Sequence, residues 1–194
     1  MNFGLYDLLS QVVPGFVVYL SLLRAWGISW DKDYVVAATV MAYLAGYLIN
    51  ALGSWLEGIY FWTWGGKPSS QLLKGKGLKK VQFYHADEAR QLLAKETDHK
   101  EPGEEELFSI AMRYATGIKD TRIEAFNANY AFSRNILTAC LLAAFLLYKD
   151  YSYDMTYLIL VVIATLIAWQ RCKERGYYFA KEVLQVYMKL KKTL

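Results

Sequence analysis

Between Tyr34 and Trp55 the chain runs without a charged side chain, and Asn50 is its only strongly polar residue. Such a run has few folds open to it. A helix pairs every backbone N–H and C=O internally, and about 20 helical residues match a hydrocarbon core about 30 Å thick. Three further stretches are of the same kind. Leu5–Leu23 is apolar apart from Tyr6, Asp7, Ser10, Gln11, Tyr19 and Ser21, while Ile136–Tyr148 and Met155–Trp169 carry no charge. Each reaches spanning length once its aromatic flanks are counted. The six tryptophans, Trp26, Trp30, Trp55, Trp62, Trp64 and Trp169, fall near the ends, where interfacial anchors belong. Four buried core helices of a soluble bundle are the alternative. A composition of 55% hydrophobic and 16% aromatic residues, unevenly distributed, argues against it. The first stretch does not read as a cleaved signal peptide: it has no basic leader, contains Asp7 and Pro14, and lacks a small-x-small cleavage site.

Basic residues set the expected orientation, because positively charged loops resist translocation. Residues 67–134 hold twelve of the 22 lysines and arginines and the tail from Arg171 holds seven, whereas the short loops hold only Arg24, Lys32 and Lys149. Both long segments, and with an even number of spans both termini, are therefore expected in the cytoplasm of a bacterial cell, with the spans in its inner membrane. Cys140 falls mid-membrane and Cys172 at the cytoplasmic end of the fourth span, so neither reads as a structural disulfide partner. The expected fold class is an all-α membrane protein with four transmembrane helices and a helical cytoplasmic domain formed by the 2–3 loop and a C-terminal amphipathic helix. The expected segments are 1–62 (spans one and two), 63–129 (cytoplasmic helical region), 130–170 (spans three and four) and 171–194 (C-terminal helix). No internal repeat stands out.

The loop is too long for a linker and carries helix signals. HADEARQLLAKE puts Ala86, Ala89, Leu92 and Leu93 on one side of a short helix. In DHKEPGEEELFSIAMRYATG, Glu104–Glu106 occupy a first turn, where acids favour the positive dipole end. Leu107, Ile110, Ala111 and Tyr114 follow, and Gly117 stops the helix. Thr121 and Glu124 have capping-box spacing, and the pattern beyond them runs into the third span without a breaker. In the tail, Phe179, Val183, Val186, Tyr187 and Leu190 share a helical face. That face lies either in the lipid interface or on the loop helices, and the tail is either attached at Gly176 or continuous with the fourth span.

Enzyme motifs are missing: there is no HExxH, GxSxG, Walker A or Gly-rich dinucleotide fingerprint. His85 and His99 lie fourteen residues apart with no cysteine near, a poor zinc pattern. The expectation is a protein without catalytic residues, metal or cofactor.

Polar residues within membrane spans say more, since a charge there is costly and faces protein or water. Asp7, Gln11, Pro14 and Gly15 share one face of the first helix, and Gly46, Asn50, Gly53, Ser54 and Glu57 one face of the second. Such stripes mark close helix packing or line an aqueous path. Four short helices hardly enclose a pore alone, so conduction implies a homo-oligomer, a tetramer being one such assembly. Glu57 and Arg134 lie at one depth at the mouths of spans two and three, which predicts an ion pair docking those helices.

The segment GGKPSSQLLKGKGLKK follows the second span with five lysines and no acid. Anionic lipid headgroups are the simplest partners of Lys67, Lys74, Lys76, Lys79 and Lys80. Interleaved apolar residues, then Phe83 and Tyr84, and glycines at 75 and 77 also suit a nucleotide or single-stranded nucleic acid.

The architecture, with stretches such as YDLLSQVVPGF, FNANYAFSRN and RGYYFAKEV, resembles the small membrane effectors of bacterial anti-phage systems, most of all the membrane component of the Hailong system. That resemblance implies an oligomeric ion channel with a cytoplasmic vestibule, held shut by a DNA oligomer from a partner nucleotidyltransferase. Two functions follow as expectations. One is a pore-forming effector gated by an anionic nucleotide or DNA oligomer, with Asp7, Gln11 and Asn50 near the pore and the lysine run holding the ligand. The other is a non-conducting membrane adaptor that docks a cytoplasmic partner.

Overall fold

In a computed structural model the described residues are 5–118, 122–151 and 154–193, and the side chains of residues 5–7, 150, 151 and 193 lie outside the description. Seven α-helices follow in order: α1 (Leu5–Ala25), α2 (Val35–Trp64), α3 (Pro68–Leu73), α4 (Ala86–Ala94), α5 (Glu104–Thr116), α6 (Ile123–Tyr151) and α7 (Met155–Thr193), with one 3-10 turn at Lys32–Tyr34. Apart from an isolated bridge between Leu78 and Val81, regular structure among these residues is helical. Four helices, α1, α2, α6 and α7, are long and apolar enough to cross a membrane.

Local chemistry explains the ends. α7 begins where Asp154 Oδ1 accepts the N–H groups of Thr156 (2.9 Å) and Tyr157 (3.2 Å), two donors that a first turn leaves orphaned. α2 stops at Gly65, whose φ of 84° lies in the left-handed region; Gly66 N–H then reaches the Phe61 carbonyl (2.8 Å). The breakerless pattern ahead of the third span is realised as a continuous α6, although the capping residue Thr121 lies outside the described residues. α7 runs unbroken through Gly176, so the tail continues the fourth hydrophobic helix.

The chain divides into two compact units, Met1–Glu57 with Ala128–Cys172, and Gly58–Asn127 with Lys173–Leu194. In the first unit α1 and α2 touch backbone to backbone. A Cβ on Gly15 would overlap the Ala42 carbonyl oxygen, and one on Gly46 the Gln11 carbonyl oxygen. This is the close approach that small residues permit between membrane helices. Val18, Ile49 and Ala139 form a small apolar cluster with Leu22, Leu142 and Leu146 packed against it. Outward, Val36, Val40, Leu44 and Leu48 of α2 and Ile159, Leu160, Ile163, Leu166 and Ile167 of α7 are exposed. Water would not support such a surface, and hydrocarbon does.

The second unit has a conventional core. Leu72 and Leu73 of α3, Ala89 and Leu93 of α4, Leu107, Ala111 and Ala115 of α5, and Tyr177, Ala180, Val183, Leu184 and Tyr187 of α7 are buried together. The tail therefore packs on the loop helices. Its buried stripe centres on Ala180, Val183, Leu184 and Tyr187 and leaves Phe179 and Val186 only partly covered, a small rotation from the apolar stripe in the sequence. Each large apolar side chain fully buried here contributes about 1.5–3 kcal/mol. Ion pairs flank this core: Lys191 with Glu96 at 2.6 Å, Lys192 with Glu88 at 3.3 Å, and Arg122 donating to both oxygens of Glu182 at 3.3 and 3.2 Å.

Candidate anion-binding turn and intramembrane polar cluster

The lysine segment is an ordered turn. Lys67 caps α3 with extended backbone and Pro68 opens the helix, where a missing N–H costs nothing. Gln71 Nε2 donates back to the Gly65 carbonyl. At the other end Gly75, with φ of 72°, lets Lys76 N–H reach the Gln71 carbonyl at 2.8 Å. Val81 N–H then bonds the Leu78 carbonyl at 2.9 Å, which puts Lys79 and Lys80 at the two central positions of a β-turn. A side chain at 77 would overlap the Val81 carbonyl oxygen, so glycine there lets the two arms close. Leu72 and Leu73 on one side and Val81 and Phe83 on the other anchor the turn in the core.

The five lysines divide. Lys67 Nζ lies 2.7 Å from Glu105 Oε2 and Lys74 Nζ lies 3.5 Å from Glu104 Oε1, both acids belonging to the first turn of α5. The side chains of Lys76, Lys79 and Lys80 are exposed and make no ion pair or hydrogen bond among the described residues. Phe83, grouped with the ligand contacts from sequence, is 6% exposed and packs in the core, whereas Tyr84 is 85% exposed. Strand-like alternation turns neighbouring side chains to opposite sides, so only one of two adjacent aromatics can face solvent. The third acid of that turn, Glu106, is bound by Thr97 Oγ1 (2.8 Å) and by His99 Nδ1, which lies 2.9 and 3.0 Å from its two oxygens. The His99 hydrogen bond, more than that from Thr97, holds the Glu106 carboxyl below its usual range, and Glu106 raises the His99 imidazole in return.

The second candidate lies in the first unit. Arg134 Nη1 donates to Glu57 Oε1 at 2.7 Å, its Nη2 donates to Asn50 Oδ1 at 2.7 Å, and Tyr130 O–H donates to the same Glu57 oxygen at 2.8 Å. The arginine and glutamate side chains are 11% and 28% exposed. Gly53 makes room: a Cβ there would stand 3.3 Å from Arg134 Nε and 3.0 Å from Thr138 Oγ1. The pair anticipated from equal depth thus has two further members. Tyr130 was legible only as an apolar position, although i, i+4 spacing puts it on the face of Arg134.

The other stripe residues fare differently. Ser54 is exposed and donates to the Asn50 carbonyl of its own helix (3.1 Å), so it is not part of the cluster. The Asp7 side chain lies outside the described residues. Asn135, missed from sequence because it follows Arg134 off the expected face, is 2% exposed and donates to the Ser10 carbonyl at 3.4 Å. In this unit Gln11 Oε1, Asn135 Oδ1 and Arg134 Nε are buried with no hydrogen-bond partner among the described residues, as are Trp64 Nε1 and Tyr187 Oη in the second unit. Among the described residues no three His, Cys, Asp or Glu side chains cluster as metal ligands would.

Comparison with protein-family models, curated proteins and solved structures gives no match. The functional reading therefore rests on the geometry of these two places.

Proposed function

We propose that the protein is a membrane-anchored receptor for a phosphate-bearing anion, a nucleotide or oligonucleotide, which binds at the lysine turn on the cytoplasmic side and which the helical unit relays to a docked partner. The observation that carries this reading is the contrast within one segment. Among the described residues the side chains of Lys76, Lys79 and Lys80 stand unpaired on a turn anchored at both ends, while Lys67 and Lys74 of the same segment hold acids. Tyr84 adds an exposed ring on which a base can stack. In the first unit Asn50, Glu57 and Arg134 bind one another, and the outward faces of α2 and α7 are apolar, which favours an anchor over a conduit.

The test is binding in mild detergent. A fluorescent ten-residue oligothymidylate should bind the native protein and lose most of its affinity on Lys76→Ser/Lys79→Ser/Lys80→Ser, with unchanged thermal unfolding. Equal binding by both proteins would sink the assignment.

The second reading is the oligomeric, ligand-gated ion pore of an anti-phage effector that the Hailong resemblance implies. One observation favours it: among the described residues Gln11 Oε1, Asn135 Oδ1 and Arg134 Nε are buried without partners between helices long and apolar enough to span, as polar groups that water would serve are. Proteoliposome ion flux separates the two. Flux above that of empty vesicles, altered by the oligonucleotide, would make the protein a channel; binding without flux leaves it a receptor.

A further inference from the structure

We infer that the first turn of α5 is a built-in competitor that withholds Lys67 and Lys74 from the anion site. The inference rests on the anion-binding reading above. The lysine segment offers five cations to a ligand, yet Glu105 holds Lys67 at 2.7 Å and Glu104 holds Lys74 at 3.5 Å. Two carboxylates thus occupy the places of two ligand phosphates. The acids suit this task, since the N-terminal dipole of α5 favours them where they are. The Lys67–Glu105 pair is exposed on both sides and costs little to release, while in the Lys74–Glu104 pair the lysine is exposed and the acid half-buried. α5 is meanwhile fixed by Leu107, Ala111 and Ala115 in the core, so the acids stay beside the lysines and act at high local concentration. Glu104 and Glu105 therefore set the affinity and the number of phosphates that the site engages.

The test compares the native protein with Glu104→Gln/Glu105→Gln, titrated with the ten-residue oligothymidylate at several salt concentrations. A control, Asp98→Asn/Glu101→Gln, makes the same change in net charge at two acids of the preceding loop, neither of which pairs with the five lysines among the described residues. The double glutamine variant should bind about two- to thirty-fold more tightly than the control, the range that two weak ion pairs span. Its log–log salt dependence should steepen by about 1.4, or about 0.7 for each added phosphate contact on a single strand. If the native protein binds and the variant matches the control in both quantities, the competitor is refuted while the anion site stands. If neither native protein nor variant binds, the anion site itself fails.

Discussion

Replacing Glu57 by Gln tests the intramembrane cluster most directly. The change keeps the shape of the side chain and removes the charge opposite Arg134, whose side chain is 11% exposed. Breaking a buried pair from one side costs about 3–5 kcal/mol, because it strands a charge. Glu57 is 28% exposed and water can partly replace it, so the expected loss is near the bottom of that range, about 3 kcal/mol. For a chain of 194 residues that corresponds to a drop of about 6–12 °C in Tm. The assay is thermal unfolding in detergent, together with the monodisperse fraction on size exclusion. Glu57→Arg should be worse, and Glu57→Arg/Arg134→Glu should recover most of the loss. A residue of about 1 kcal/mol should persist, since Tyr130 O–H loses its acceptor. If Glu57→Gln unfolds within a degree of the native protein, or the double reversal is merely the sum of the single ones, both side chains reach headgroups independently and the pair docks nothing.

Three further outcomes follow from the geometry. Gly15→Leu and Gly46→Leu each drive a side chain into a facing backbone carbonyl and should separately cost at least about 3 kcal/mol, seen as lost folded yield, whereas Gly103→Ala, with open space around it, should not. Phe83→Ala should cost about 3–5 kcal/mol in unfolding experiments, while Tyr84→Ala should leave stability unchanged and weaken oligonucleotide binding by about 1–3 kcal/mol. The His99–Glu106 pair should stabilise the second unit between the ordinary carboxylate range and about pH 6.5, the ordinary imidazole value. His99 is raised, so its share is lost as pH rises through the raised value; Glu106 is lowered, so its share is lost as pH falls through the lowered one. His99→Gln should flatten that profile of unfolding temperature, and an unchanged profile would refute the pairing.

The helices were legible in the sequence because the signals that make them are local. Uncharged runs of spanning length, and the acids Glu104–Glu106 and the stop Gly117 at the two ends of α5, act within one turn of themselves, and the structure realises each of them. The burial of the tail was only half legible. Its 3.6-residue periodicity gave a helix with one apolar face, but a face looks the same whether lipid or another helix covers it. Leu72, Leu93 and Leu107, from three other segments, decide which. The Glu57–Arg134 pair was readable because membrane depth gives two residues far apart in sequence a common coordinate.

The lysine run shows where such reading stops. Counted along the chain it is a block of five cations without an acid, and every lysine in it looks equivalent. Folding carries α5 against α3 and brings Glu104 and Glu105 to two of them, a contact between residues separated by the whole of α4. The same fold turns Phe83 inward and Tyr84 outward, although both are equally aromatic in the sequence. What distinguishes the three remaining lysines is therefore that no acid among the described residues pairs with them, which no local pattern encodes. Composition bounds the charge of a surface, while the availability of that charge to a ligand is set by tertiary pairing. In this segment the lysines that the acids of α5 do not hold are Lys76, Lys79 and Lys80.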